Sequence, residues 1–350
     1  MSAAIYELDA LVLAMSALTV YHAFSDKDRL SIALLIASGL LGFCTEYASI
    51  HFGGTHCHAT GFLNFGECSS VNSVFYYVPW VYVCIVSAKR LGGSSSNFAF
   101  PFMAGMLFFG MCGVYEMQGP LMKWWLWPDA SGLVKGGADV WQLTPDTRGL
   151  VSTPHVIDAL YERWHSFPVM APFFHSAFGW GIATALMYTV PAFGAKFKLG
   201  KVMGAVAVLS SVLTGPSLAM AWDGVMRVFT NTLGLDRFVG VPVMMLLSFV
   251  LPMLVSPPQA GKYTGPRDAI LFMVPLLNAL FFNANCLFRA GKDIIPKELK
   301  LLVLAVSIVS LSLHARAAGL IVSTGKGKGG GKKTVTAPQA PTRKSPRHKR

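Results

Sequence analysis

Charge is scarce in this chain of 350 residues: Asp, Glu, Lys and Arg make up 13% of it, while 53% is hydrophobic. A soluble globular domain carries about 25% charged residues, so a chain wetted over its whole surface is excluded. Lys and Arg are missing altogether from residues 1–26 and 51–70. The first apolar run is preceded by Glu7 and Asp9 instead of a basic segment, so it reads as a retained span and not as a cleaved signal peptide. No H-E-x-x-H or paired C-x-x-C spacing occurs, which excludes the familiar zinc motifs. Clustered His-x-x-His motifs, usual in membrane hydroxylases and desaturases of the di-iron type, are absent too. So is the twofold internal repeat common among transporters.

What the chain does have is a succession of apolar runs, most of them near the roughly 17–25 residues that a bilayer-spanning helix requires. They cover 8–22, 30–50, 71–88, 98–117, 168–190, 202–222, 238–256, 269–288 and 299–314, the first and last being short. Pro79, Pro172, Pro216, Pro252 and Pro275 fall inside them, which membrane helices tolerate because neighbours re-satisfy the freed carbonyls. The expected fold is all-α: a polytopic helical membrane protein with about nine transmembrane helices, in a range of roughly eight to ten. A single transmembrane domain is expected over 1–322, with a long connection at 119–167, followed by a basic tail at 323–350.

Orientation follows from the placement of Lys and Arg. Lys27 and Arg29, Lys89 and Arg90, Lys196, Lys198 and Lys201, and Lys262 and Arg267 all lie in connections of one parity, as does the tail. That parity is cytosolic, and the N-terminus and the 119–167 connection fall on the opposite side. Arg227, Arg237, Lys292 and Lys297 run against the bias. The net charge of +12 owes much to the tail, whose GKGKGGGKKTVTAPQAPTRKSPRHKR has no apolar face to bury and is expected to be disordered. Such a tail suits anionic lipid headgroups, at about 1 kcal/mol per basic residue, or serves only to set topology. Nucleic acid is not an expected partner. An integral, multi-pass protein of an ER-like endomembrane or a plastid membrane is the expected setting.

Three carboxylates close apolar runs: Glu46 in CTEYASIHFGG, Glu116 in VYEMQGPLMKWW and Asp223 in AWDGVMRVF. Each is followed by a connection and then a helix carrying Val-Pro or Pro-Val. A carboxylate at membrane depth is costly unless it has a partner or a task. The charge bias puts all three at the non-cytosolic helix ends, where they are candidates for one site.

The connection HFGGTHCHATGFLNFGEC gathers His51, His56, Cys57, His58, Glu67 and Cys68. His-x-His offers two nitrogens to one ion when extended, so His56 and His58 are candidate ligands for a divalent metal such as zinc. Histidines that hydrogen-bond locally in an interfacial loop are the competing account. A Cys57–Cys68 disulfide is feasible in an oxidising lumen. Glu46 with His51, and His165 with His175, flank helix ends on the same side, and carboxylates beside imidazoles away from bulk water are how proton-transfer pairs are tuned. Trp124, Trp125 and Trp127 follow Glu116, and Trp164 precedes His165. Such tryptophans anchor helices at headgroup depth; they also stabilise a carbocation through their π faces. An enzyme that protonates an alkene needs an acid and aromatic walls, and Glu116 with this cluster supplies both.

In order and spacing, residues 43–188 resemble the polytopic membrane proteins of carotenoid biosynthesis that include the carotenoid 1,2-hydratases. The resemblance runs through Glu46, Phe52-Gly53 and Val78-Pro79; then Glu116, Gly119-Pro120 and Trp125-Leu126-Trp127; then Pro168-Val169, His175 and Gly179-Trp180. It departs in carrying Glu116 where the family has Asp, and His175 near its Asn. The resemblance implies a membrane-embedded enzyme acting on an isoprenoid or other lipid by hydratase-like acid–base chemistry. The catalytic candidates are then Glu116 as proton donor, Glu46 and Asp223 orienting water or a counter-charge, and His51 and His175 as relays. Trp124, Trp125, Trp127, Trp180 and His165 would line the substrate pocket. Two other classes stay open: a transporter or channel with an intramembrane carboxylate site, and a membrane metal-dependent hydrolase using the histidines.

Overall fold

A computed structural model describes residues 3–26, 29–47, 50, 56–59, 61–64, 70–92, 100–122, 124–126, 133–136, 139–142, 163–164, 167–168, 228, 232–234, 243, 250–255, 257–289 and 294–321. Most of these are helical. Helices α1 (Ala3–Ser25), α2 (Arg29–Tyr47), α3 (Val71–Phe75), α4 (Tyr77–Gly92) and α5 (Phe100–Glu116) are followed by α6 (Ile270–Ala284) and α7 (Lys297–Ala317). Among the described residues, four segments are long and apolar enough to cross a membrane: Ile5–Ser25, Val71–Gly92, Pro266–Arg289 and Lys297–Ala317. Two shorter apolar helices, Ser31–Cys44 and Phe100–Glu116, match the expected runs at 30–50 and 98–117. Pro168 aside, the runs at 168–190 and 202–222 lie outside the described residues, as do most of 238–256 and the tail. The first and last runs, short by hydropathy alone at 8–22 and 299–314, extend at both ends into the helices Ala3–Ser25 and Lys297–Ala317.

Helix α4 is the hub. Of the apolar window in Val71–Gly92, 83% is buried, against 33% in Lys297–Ala317, so α4 packs on all sides while α7 lies at the periphery. Leu301, Leu304, Ile308 and Val309 of α7 are exposed, an apolar outer face of the kind that a bilayer would cover. The run 71–92 is broken between α3 and α4, and proline explains the break. Pro79 has no N–H for the carbonyl four residues before it, that of Phe75. Ser16 Oγ of α1 donates to this carbonyl at 3.4 Å, the re-satisfaction that membrane helices need.

Polar groups stitch the helices together through the apolar core. Trp80 Nε1 of α4 donates to Asn278 Oδ1 of α6 at 3.0 Å, and Asn278 Nδ2 donates to the Met111 carbonyl of α5 at 3.1 Å. His22 of α1 meets Tyr82 Oη at 2.9 Å, and His314 of α7 meets Ser87 Oγ at 2.9 Å. Helix α7 stops where glycine allows it. Gly319 takes φ +75°, and Leu320 N–H and Gly319 N–H bond back to the carbonyls of Ala315 and Arg316 at 2.9 and 3.1 Å, the reverse-turn closure that satisfies orphan carbonyls.

The two ends of the bundle differ. At one end Arg90, at the foot of α4, holds Asp268 at 2.6 Å and Arg267 approaches Asp26 at 3.5 Å. The opposite end gathers the C-termini of α2 and α5 and the N-termini of α3 and α4. Short strands stand among the connections of a fold that is otherwise helical, as expected. The antiparallel strands β1 (Cys57–His58) and β2 (Trp125–Leu126) pair residue for residue, Cys57 with Leu126 and His58 with Trp125. Leu133–Gly136 pairs with Asp139–Gln142, and Arg163–Trp164 with Phe167–Pro168, in two further short ladders.

Candidate functional site

Glu46 stands in the last turn of α2, where the negative end of the helix dipole makes a carboxylate unwelcome. It is buried all the same, at 8% exposure, so its stability there depends on the groups that face it. Three donors do. His56 Nε2 lies 2.9 Å and His58 Nε2 3.0 Å from Glu46 Oε2, while Tyr77 Oη, in the first turn of α4, donates to Oε1 at 3.0 Å. Both histidines are themselves buried, at 8% and 4% exposure.

Local structure explains why both imidazoles reach one oxygen. Alternate side chains of an extended segment share a face, and His56 and His58 are two apart. Pairing with β2, reinforced by Ala59 N–H donating to the Trp124 carbonyl at 2.8 Å, holds this segment in place. Trp125, opposite His58 in the ladder, stands edge-on to His56 with ring centroids 6.0 Å apart. Its indole occupies the space where a side chain at Gly119 would go, so glycine is required at that position.

Burial lowers the His58 imidazole below its ordinary pKa, against the opposing pull of the hydrogen bond and charge of Glu46. A neutral imidazole donates through one nitrogen and accepts through the other. Because the carboxylate accepts only, the proton belongs on Nε2, leaving Nδ1 to accept from Tyr115 Oη at 3.3 Å.

Glu116 ends α5 at the same end of the bundle and is 7% exposed. Its charge acts on His58, and Cys112 Sγ, one turn earlier, lies 3.9 Å from its Oε1. An aromatic wall backs the two carboxylates. Tyr115 stacks on Trp124 with 5° between planes, Trp80 lies 5.6 Å from Tyr115, and Phe282 of α6 closes edge-on against Trp124 at 5.7 Å. Trp124 and Trp125 are 1% and 2% exposed, and Trp124 Nε1 has no hydrogen-bond partner among the described residues.

Of the residues singled out from sequence, Glu46, Glu116, His56, His58, Trp124 and Trp125 thus meet at one end of the bundle. Glu46 faces His56 and His58, which sequence placed in a separate metal group. His51, Trp127, His165, His175, Trp180 and Asp223 lie outside the described residues, as does Cys68, the expected partner of Cys57. Tyr77, Tyr115 and Cys112 are contributors that sequence reasoning passed over. Two of them had a signal: Tyr77 immediately precedes the quoted Val78-Pro79, and Tyr115 immediately precedes Glu116. In comparisons with family models, curated proteins and solved structures, nothing matches this chain.

Proposed function

We propose that this protein is a membrane-embedded enzyme that acts on an isoprenoid or other lipid by hydratase-like acid–base chemistry, at the bundle end where Glu46 and Glu116 meet. One observation carries the reading: two carboxylates from different helices are buried together, beside imidazoles and an aromatic wall, in a bundle of apolar helices. Buried carboxylates of this kind are tuned for proton transfer, and the indoles offer π faces to a developing cation. The unpartnered Trp124 Nε1 is a donor for a substrate or water oxygen.

In this scheme Glu116 delivers its proton to one carbon of a substrate double bond, forming a cation at the other carbon beside the tryptophans. Water adds through its oxygen to that cation. The extra proton on the new hydroxyl passes back through the carboxylate–imidazole cluster to Glu116, so the net change is the addition of one water. The sequence resemblance assigns Asp223 to orienting water or a counter-charge, His51 and His175 to relaying protons, and Trp127, Trp180 and His165 to the lining. By the loop charges, the site faces the non-cytosolic side of an endomembrane or plastid membrane, and the tail meets anionic headgroups on the other.

The test compares lipid extracts from cells expressing wild-type chain or Glu116→Gln, which keeps the shape and removes the proton. Mass spectrometry is expected to find a lipid heavier by one water only with the wild type. Equal product from both, at equal amounts of folded protein, overturns the assignment. Ion flux through wild-type proteoliposomes in place of any product would favour a transporter.

A further inference from the structure

We infer that Glu46, His56 and His58 form a binding site for a divalent transition metal, zinc first among them, with a coordination position left for water or a substrate oxygen. The inference concerns the same site as the proposed acid–base reaction but does not need that reaction to be right.

The donor set is the first argument. Two imidazoles and one carboxylate are the ligands of several catalytic zinc sites, which keep a fourth position open. Magnesium and calcium prefer oxygen alone, and copper(I) prefers sulfur, so the mixture selects for zinc and its neighbours.

Geometry is the second. One ligand atom from each residue lies within 4.8 Å of the others. Glu46 Oε2 stands 2.9 and 3.0 Å from the two Nε2 atoms. Tetrahedral zinc with bonds of about 2.0–2.1 Å separates its ligand atoms by roughly 3.3 Å, so the ion asks the two carboxylate–imidazole separations to widen by a few tenths of an ångström and the two imidazole nitrogens, within 4.8 Å of one another, to settle at that same spacing. The three atoms come from a helix end and a strand-paired segment, which keeps the ordering cost low.

Support for the ligands is the third. Ligating histidines and carboxylates are usually oriented by a further hydrogen bond on the atom that faces away from the metal. Tyr77 Oη binds Glu46 Oε1, leaving Oε2 for the ion, and Tyr115 Oη binds His58 Nδ1, leaving Nε2. With an ion on Nε2, the proton moves to Nδ1 and the Tyr115 hydroxyl accepts in place of donating.

The test uses full-length protein purified in detergent, stripped with chelator, reloaded with zinc or cobalt(II) and desalted. The expected result is about one ion per chain, visible d–d absorption from four- or five-coordinate cobalt, and loss of both in His56→Ala and His58→Ala variants that retain wild-type helical circular dichroism. Tyr77→Phe, which leaves every ligand in place, is expected to bind roughly 10–100-fold more weakly, and it serves if the histidine variants do not fold. Wild-type protein that retains no zinc or cobalt overturns the inference, as does Tyr77→Phe or a folded histidine variant binding as tightly as wild type. Lipid hydration by wild-type protein that retains no metal after reloading would overturn this inference and leave the acid–base reading standing. Stoichiometric metal with no hydrated lipid would do the reverse.

Discussion

Both ends of this bundle bury carboxylates, and they neutralise them in opposite ways. At one end Asp268 is tied to Arg90 at 2.6 Å and accepts from the Thr264 N–H and hydroxyl at 2.6 and 2.7 Å. Arg90 also reaches the Ala317 carbonyl at the end of α7, at 3.4 Å. A guanidinium does not release its proton, so this end is a fixed clasp joining α4, α6 and α7. At the other end Glu46 is held by two imidazoles and a phenol. Imidazole can take up a proton, give one up or bind a metal at neutral pH. The same helices thus carry a closed electrostatic joint at one terminus and an adaptable cluster at the other. A buried carboxylate is therefore no guide to function by itself; its partner decides.

Substitutions at the two ends are expected to separate stability from activity. The largest effect is on rate: Glu116→Gln should lower turnover by roughly 10²–10⁴-fold while hardly moving the melting temperature, as read by product mass and by thermal unfolding in detergent. Next, Arg90→Ala strands Asp268, whose side chain is 1% exposed, and should destabilise the fold by about 3–5 kcal/mol. Activity per folded molecule should be unchanged, and an activity loss matching that of Glu116→Gln would dissolve the contrast between the ends. Gly119→Ala drives a methyl into the Trp125 indole. It should cost about 1–3 kcal/mol and weaken the histidine end specifically, seen as lower metal retention at temperatures where the protein is still folded. The smallest effect is at the middle of the bundle. Asn278→Leu removes the link between Trp80 and Met111 and should cost about 0.6 kcal/mol, the average for such bonds between membrane helices.

Much of this arrangement is legible before folding is considered. The apolar runs mark the six longer helices that fall among the described residues, and the alternation of basic connections assigns Glu46 and Glu116 to one end, where they do meet. The period-two spacing of His56 and His58 announces a shared face. Other features are silent in sequence. A two-residue ladder such as Cys57–His58 with Trp125–Leu126 leaves no periodicity to detect, and it is the element that delivers both imidazoles. Tyr77 and Tyr115 sit inside apolar helices, where a phenol looks like any other aromatic until its hydroxyl acquires a partner. Proximity in sequence points from Glu46 to His51, which lies outside the described residues, while the partners observed are ten and twelve residues away, a separation that hydropathy does not encode.

Composition and spacing determine that the chain is a set of apolar helices with carboxylates near their ends and basic residues biased to one side. These are properties of each segment and of its free energy of transfer between water and an apolar phase, and they need no neighbour to be stated. Only tertiary structure decides which carboxylate is clasped by arginine and which by histidine. A hydrogen bond depends on a few tenths of an ångström between atoms distant in the chain, and that separation exists only after α4 has packed at the centre and β1 has found β2.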